Sequence, residues 1–191
     1  MPHLIAMFET SFSVKLTDES NSIREVLGQI DTILFRAYVD PISKQLDTLV
    51  REGISDPDWV PKTSRPLDAQ PYVYNVLMVL VLVHTEAYTT ATPLTAPILK
   101  HLLESLSNSL ITTFKLRPKY SLPSLMQATL DVEFLAQTLN NYTTDKASNT
   151  QSAIYVALDE RTDNDARLKL QQELQEMRSI LKKLREGTRT E

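Results

Sequence analysis

The chain contains no cysteine, which removes disulfides, thiolate zinc sites and cysteine nucleophiles together and leaves the redox compartment open, the cytosol included. Glycine is almost as scarce, with three in 191 residues. Phosphate-cradling loops and dinucleotide fingerprints need several glycines at fixed spacing, so neither a Walker loop nor a Rossmann turn is possible. An excess of charge is also missing: 20 Lys and Arg against 24 Asp and Glu give a net −4. A balance that weak does not steer a polyanion, and nucleic acid is not expected as a partner. Long apolar runs are lacking too. The strongest, Val76 to Val83, is eight residues where a membrane span needs about 20. Met1 to Phe8 has no basic flank and meets Glu9 before it reaches signal-peptide length; it reads instead as the end of an amphipathic helix that begins earlier.

What the sequence does hold is a core: 42% of its residues are hydrophobic and 23% charged, and a chain this long buries about 70% of its unfolded surface. Ten prolines, at 2, 41, 57, 61, 66, 71, 93, 97, 118 and 123, divide it into helical segments. Residues 18–52 carry Ile23, Val26, Leu27, Ile30, Ile33, Leu34 and Ala37 at 3, 4 spacing, the pattern of one buried stripe. Pro41 is expected to break or bend this helix, Gly53 to cap it, and Gly28 to permit a close helix approach. Residues 54–71 hold four prolines and the sole tryptophan, a structured connector in which Trp59 packs onto the bundle.

Segment 72–91 is apolar on every face, and its five valines would suit a strand. Its length and the lack of any strand to pair with favour a fully buried, central helix. Two core helices follow, Leu94 to Lys115, with Thr95 as cap, and Ser121 to Asn141, then a thinner amphipathic helix, Thr144 to Glu160. The last helix, residues 162–187, is expected to be capped by the Thr162 hydroxyl. It carries Leu170, Leu174, Met177, Leu181 and Leu184 at 4, 3, 4, 3 spacing. Two heptads are too few for a free-standing coiled coil, so this seam docks on the bundle or on a partner helix. The fold class is therefore all-α, a helical bundle with antiparallel neighbours: residues 1–17 as lead-in, 18–160 as the bundle with its connector at 54–71, 162–187 as the terminal helix and 188–191 as a tail.

Residues able to do chemistry are few, and each has a structural explanation. His101 and Glu104 stand i, i+3 on one helix face, yet a carboxylate-bridged metal site in a bundle needs two such motifs and two further glutamates; an ion pair explains them. His84 and Glu86 point apart, and His84 suits a core imidazole hydrogen-bonded within the bundle. Asp131 and Glu133 interrupt an apolar stretch, where a carboxylate can have a raised pKa. At i, i+2 only one can face the core, and a cation or hydroxyl beside it would satisfy it. The Asp163, Asn164, Asp165 cluster lacks the sixth-position glycine and twelfth-position glutamate of a calcium loop and suits a helix start. No catalytic residue, metal site or cofactor is expected. The remaining signal is the cationic end of the last helix, Arg178, Lys182, Lys183 and Arg185. Residues 163–191 carry net +1 against −5 for the rest. Dipole complementation accounts for most of this; contact with an acidic partner or an anionic membrane is the alternative.

Several stretches together resemble a known family: Val81-Leu-Val-His-Thr-Glu86, Leu125-Met-Gln-Ala-Thr-Leu-Asp-Val-Glu-Phe-Leu-Ala-Gln-Thr138, Tyr142-Thr-Thr-Asp-Lys-Ala147, and Leu158-Asp-Glu-Arg-Thr-Asp-Asn-Asp-Ala-Arg167 leading to Leu181-Lys-Lys-Leu-Arg-Glu-Gly187. From about Phe8 onward the chain is similar to the C-terminal region of the Sec-five-type subunit of the exocyst, in its fungal form. The resemblance implies a non-enzymatic fragment of a vesicle-tethering protein built as a rod of stacked helical bundles. It implies other exocyst subunits as partners, a monomeric fragment, and a place in the cytoplasm, recruited to the inner face of the plasma membrane at sites of secretion. It carries over no site residues. Two other readings stay open at this point, a helical adaptor outside the exocyst and a helical-bundle metal enzyme in which His84, His101 and acidic residues converge.

Overall fold

The computed structural model describes residues 6–7, 10–12 and 17–187, and the lead-in and tail expected at the two ends fall mostly outside these. Six α-helices account for most of the described chain: α1 (Thr17–Ser55), α2 (Pro71–Thr90), α3 (Thr95–Leu116), α4 (Leu122–Thr138), α5 (Asp145–Glu160) and α6 (Asn164–Gly187). Three single turns of 3-10 helix lie between them, Pro57–Trp59, Thr92–Leu94 and Asn140–Tyr142. No strand forms among the described residues; the one β-like feature is an isolated bridge between Tyr120 and Thr162. The all-α expectation is met, and residues 76–83 are helical.

The chain divides into two compact units, Met1–Pro41 and Ile42–Glu191. In the first unit the helix carries the predicted stripe, but its side chains are not buried. Ile23, Val26, Leu27, Ile30, Ile33 and Leu34 are all exposed, at 47 to 65%. Spacing defines a face of a helix; burial needs a partner for that face, and this unit supplies none among its described residues. Nor does Pro41 end the helix, which runs on through it to Ser55.

The second unit holds the bundle. Here α3 packs on α5, α4 on α6, and α2 on α3. Its core is built from Leu46, Val50 and Ile54 at the end of α1, Leu102, Leu106 and Phe114 on α3, Met126, Leu130 and Phe134 on α4, and Ile154 and Leu158 on α5. The most buried helix is α4, not α2 as the apolar run suggested. Ten of its 17 residues are buried, whereas α2 buries Tyr72, Val73, Val76, Leu80, Val83 and Ala87 along one face and exposes Met78, Val81 and Leu82 on the other.

Glycine and cap roles also differ from expectation. Gly28 has open space around it, while a Cβ on Gly53 would fall 2.3 Å from Tyr72 Cβ. The close helix approach is therefore at Gly53, where α1 meets the start of α2, and Gly53 lies inside the helix rather than capping it. Thr95 opens α3 with its hydroxyl buried and no acceptor bonded to it. The Thr162 hydroxyl donates backward to the Leu158 carbonyl at 2.7 Å, closing α5 instead of opening α6. Thr144 does cap α5, accepting from the Ala147 N–H at 3.1 Å.

The proline-rich connector is held at both ends. Trp59 is buried, its ring 6.1 Å from Phe114, with the Arg117 guanidinium 4.5 Å above it. Arg117 also donates to the Ile54 carbonyl at 2.7 Å, satisfying an acceptor in the last turn of α1.

Candidate interaction surface

Two carboxylates of α4, Asp131 and Glu133, gather polar contacts inside the bundle. Asp131 is fully buried and accepts from the Trp59 indole N–H at 3.2 Å, the Gln70 backbone N–H at 3.0 Å and the Gln127 amide at 2.8 Å. These three donors are neutral N–H groups, neither the cation nor the hydroxyl that the sequence allowed for. Burial without a counter-charge pushes the Asp131 carboxyl up to about 7, and the donors around it hold it from rising further. Glu133 sits half-buried on the next face and accepts from Tyr155 Oη at 2.7 Å and Gln137 Nε2 at 3.1 Å. Burial and this carboxylate together push the Tyr155 phenol up. Both carboxylates bind parts of the fold together, Asp131 the connector to α4, Glu133 α4 to α5.

In the His-x-x-Glu pair Glu104 does the same, while His101 is exposed. Glu104 accepts from the Thr144 hydroxyl at 2.7 Å and from Lys146 at 3.0 Å, which clasps α3 to the start of α5 and, through the Thr144 bond first and Lys146 second, holds its carboxyl below the usual range. His84 is not a core imidazole. It is half-buried, stacked on Tyr88 at 5.9 Å and edge-on to Tyr142 at 6.2 Å. Among the described residues no three His, Asp or Glu side chains gather where a metal ion would sit.

What the bundle presents outward is the last helix. Its seam lies on α4, with Met177 and Leu181 buried and Leu174 at 36% exposure. Arg65 of the connector clamps this helix from outside, meeting Glu173 at 2.7 Å and also Glu176. Beyond the seam the four predicted contact residues take two positions. Arg178, Lys182 and Lys183 are exposed. Arg185 is half-buried and donates to Gln137 Oε1 at 3.2 Å, tying the end of α6 to α4. Lys182 also stands 3.8 Å from Glu186.

Next to this cationic end lies a feature that the sequence did not reveal. An open groove of about 700 Å³ runs along α2, lined by Tyr74, Leu77, Met78, Val81, Leu139 and Tyr142 among others, with Gly187 at its edge. Its α2 residues repeat every three or four positions, which was the available signal, but an apolar run on all faces of a helix hides any one face.

A family model, Exocyst complex component Sec5, matches residues 1–191. The chain belongs to the Sec5 family of exocyst components. No curated protein and no solved structure matches it. Membership of this family implies association with other exocyst subunits, and it closes the reading of a helical adaptor outside the exocyst. Among the described residues no helix is long and apolar enough to cross a membrane.

Proposed function

We propose that this Sec5-family chain is a non-enzymatic docking module of the exocyst, one that helps tether secretory vesicles to the cytoplasmic face of the plasma membrane. In this reading it is a bundle of a longer rod, monomeric by itself. It meets sibling subunits through the cationic end of α6. One observation carries this: the leucine seam of α6 is committed to α4 while Arg178, Lys182 and Lys183 point to solvent. Fold and contact surface are thus separated on two sides of one helix, and the charges are available for long-range attraction to an acidic surface.

Charge reversal tests it. With Arg178, Lys182 and Lys183 changed to Glu, the thermal midpoint is expected to stay close to wild type, since exposed charges contribute under about 1 kcal/mol each. Association with sibling subunits is expected to weaken, the loss shrinking as salt rises. A weaker contact of the same charges with anionic lipid predicts a parallel loss in vesicle flotation. A folded variant that binds every sibling subunit at wild-type strength refutes this end of α6 as the contact.

A further inference from the structure

The groove beside α6 has a shape and a charge distribution that together select an occupant. Along α2 the exposed or half-buried residues Tyr74, Leu77, Met78, Val81, His84 and Tyr88 recur at 3, 4 spacing. At 1.5 Å per residue that ridge is about 21 Å long, the reach of a helix of four turns rather than of a small molecule. Met78 and Val81 are 60% and 57% exposed, and a methionine in such a position adapts to the side chains laid against it. The only Asp, Glu, Lys or Arg on α2 is Glu86, so α2 brings little charge of its own. The nearby charge comes from Asp68, which accepts from the Tyr74 hydroxyl at one end, and from α6 at the other. Gly187 borders the groove, and the hollow beside it is lined by Gln137, Arg178, Leu181, Lys182, Arg185 and Glu186, three cations against one acid. An apolar channel with a cationic edge complements a helix that is apolar on one face and acidic beside it.

We propose that this groove is the docking site for an acidic amphipathic helix of a neighbouring exocyst component. The apolar stripe of that helix lies on Tyr74, Met78 and Val81, and its flanking carboxylates face Arg178 and Lys182. The proposal rests on the reading that the α6 end meets a sibling subunit, and adds which surface next to it is filled and by what chemistry.

The test is site-specific photo-crosslinking in the assembled exocyst, with benzoylphenylalanine at position 78 in one strain and at position 182 in another, and the crosslinked peptides sequenced. The expected product at position 78 is a segment of another component with apolar residues at 3, 4 spacing and a net negative flank. Met78→Glu with Val81→Glu, both changes on exposed side chains, is expected to leave the fold intact and to weaken association of that component at least tenfold. A crosslink from position 78 to a basic or non-periodic segment, to a second copy of this chain, or to the chain's own residues overturns the proposal. So does the lack of any product at 78 when position 182 crosslinks to a sibling, a result that leaves the proposed function standing. Failure at both positions removes both.

Discussion

Trp59 and Asp131, 72 residues apart, meet inside the bundle through an indole N–H to carboxylate bond of 3.2 Å. Gln70, eleven residues after Trp59, returns its backbone N–H to the same carboxylate and its side chain to the Trp59 carbonyl at 2.7 Å. The two ends of a proline-rich segment are thus fixed on one buried acid. That arrangement explains how a segment with almost no regular structure keeps a defined path across α4.

The same acid makes stability depend on pH. Asp131 is held at about 7 in the folded protein against an ordinary 3.8. Between these values the folded chain keeps a proton that the unfolded chain has released, so stability falls as pH rises from about 4 to about 7. Above that range both states are ionised and the loss is complete, at most about 4 kcal/mol by the pKa difference. Urea unfolding at pH 5 and pH 8 is expected to show the more stable protein at pH 5. Asp131→Asn is expected to reduce that difference, since it removes the titrating group. An unchanged difference in the Asn variant would place the effect elsewhere.

Trp59→Phe separates the ring from its N–H. The aromatic contact with Phe114 is retained and one donor to Asp131 is lost, at a cost of about 1 to 3 kcal/mol for a buried group left short of a partner. Because the lost bond favours the charged carboxylate, the penalty is expected to be larger at pH 8 than at pH 5. Equal penalties at the two pH values would mean that the indole acts through packing alone.

The helices themselves were legible because proline positions and 3, 4 spacing are local properties, written into consecutive residues. Which face is covered was not, because covering is a relation between distant segments. The stripe from Ile23 to Leu34 and the run from Val76 to Val83 show the two ways this fails. The first has the pattern of a buried face and no partner in its unit among the described residues; the second is apolar all round and still leaves one side open. Trp59 could be placed in the core from its size and scarcity alone. Its bond to Asp131 could not, since nothing within a few residues of either points to the other. The four cations at the C-terminal end of α6 were visible as a cluster, but only the bond to Gln137 separates Arg185 from the three that face solvent.

Exposure of the first stripe gives a direct contrast in stability. Ile30→Ala and Leu34→Ala are expected to change the unfolding free energy by less than about 1 kcal/mol, because little area is withdrawn from water at either site. Leu46→Ala, at a position with no exposure, is expected to cost about 2 to 5 kcal/mol. A large loss at Ile30 or Leu34 would show that this face is covered in solution.

Two glycines of the same helix are expected to respond to the same substitution with opposite sign. An alanine at position 28 meets no atom within 4 Å, so Gly28→Ala gains helix propensity without a clash and stabilises by up to about 1 kcal/mol. At position 53 the new methyl would sit 2.3 Å from Tyr72 Cβ and 2.5 Å from its Cγ. The first atom beyond the Tyr72 backbone cannot rotate away, so the helices must separate, and the substitution is expected to cost about 1 to 3 kcal/mol or more, as overpacking does elsewhere. Helix propensity favours alanine equally at both positions, and at 53 that gain is too small to offset the cost of forcing the helices apart. Thermal melts of the two single variants decide the point: a rise for Gly28→Ala beside a fall for Gly53→Ala assigns the close approach to the meeting of α1 with Tyr72, whereas a stabilised Gly53→Ala would contradict the packing described there.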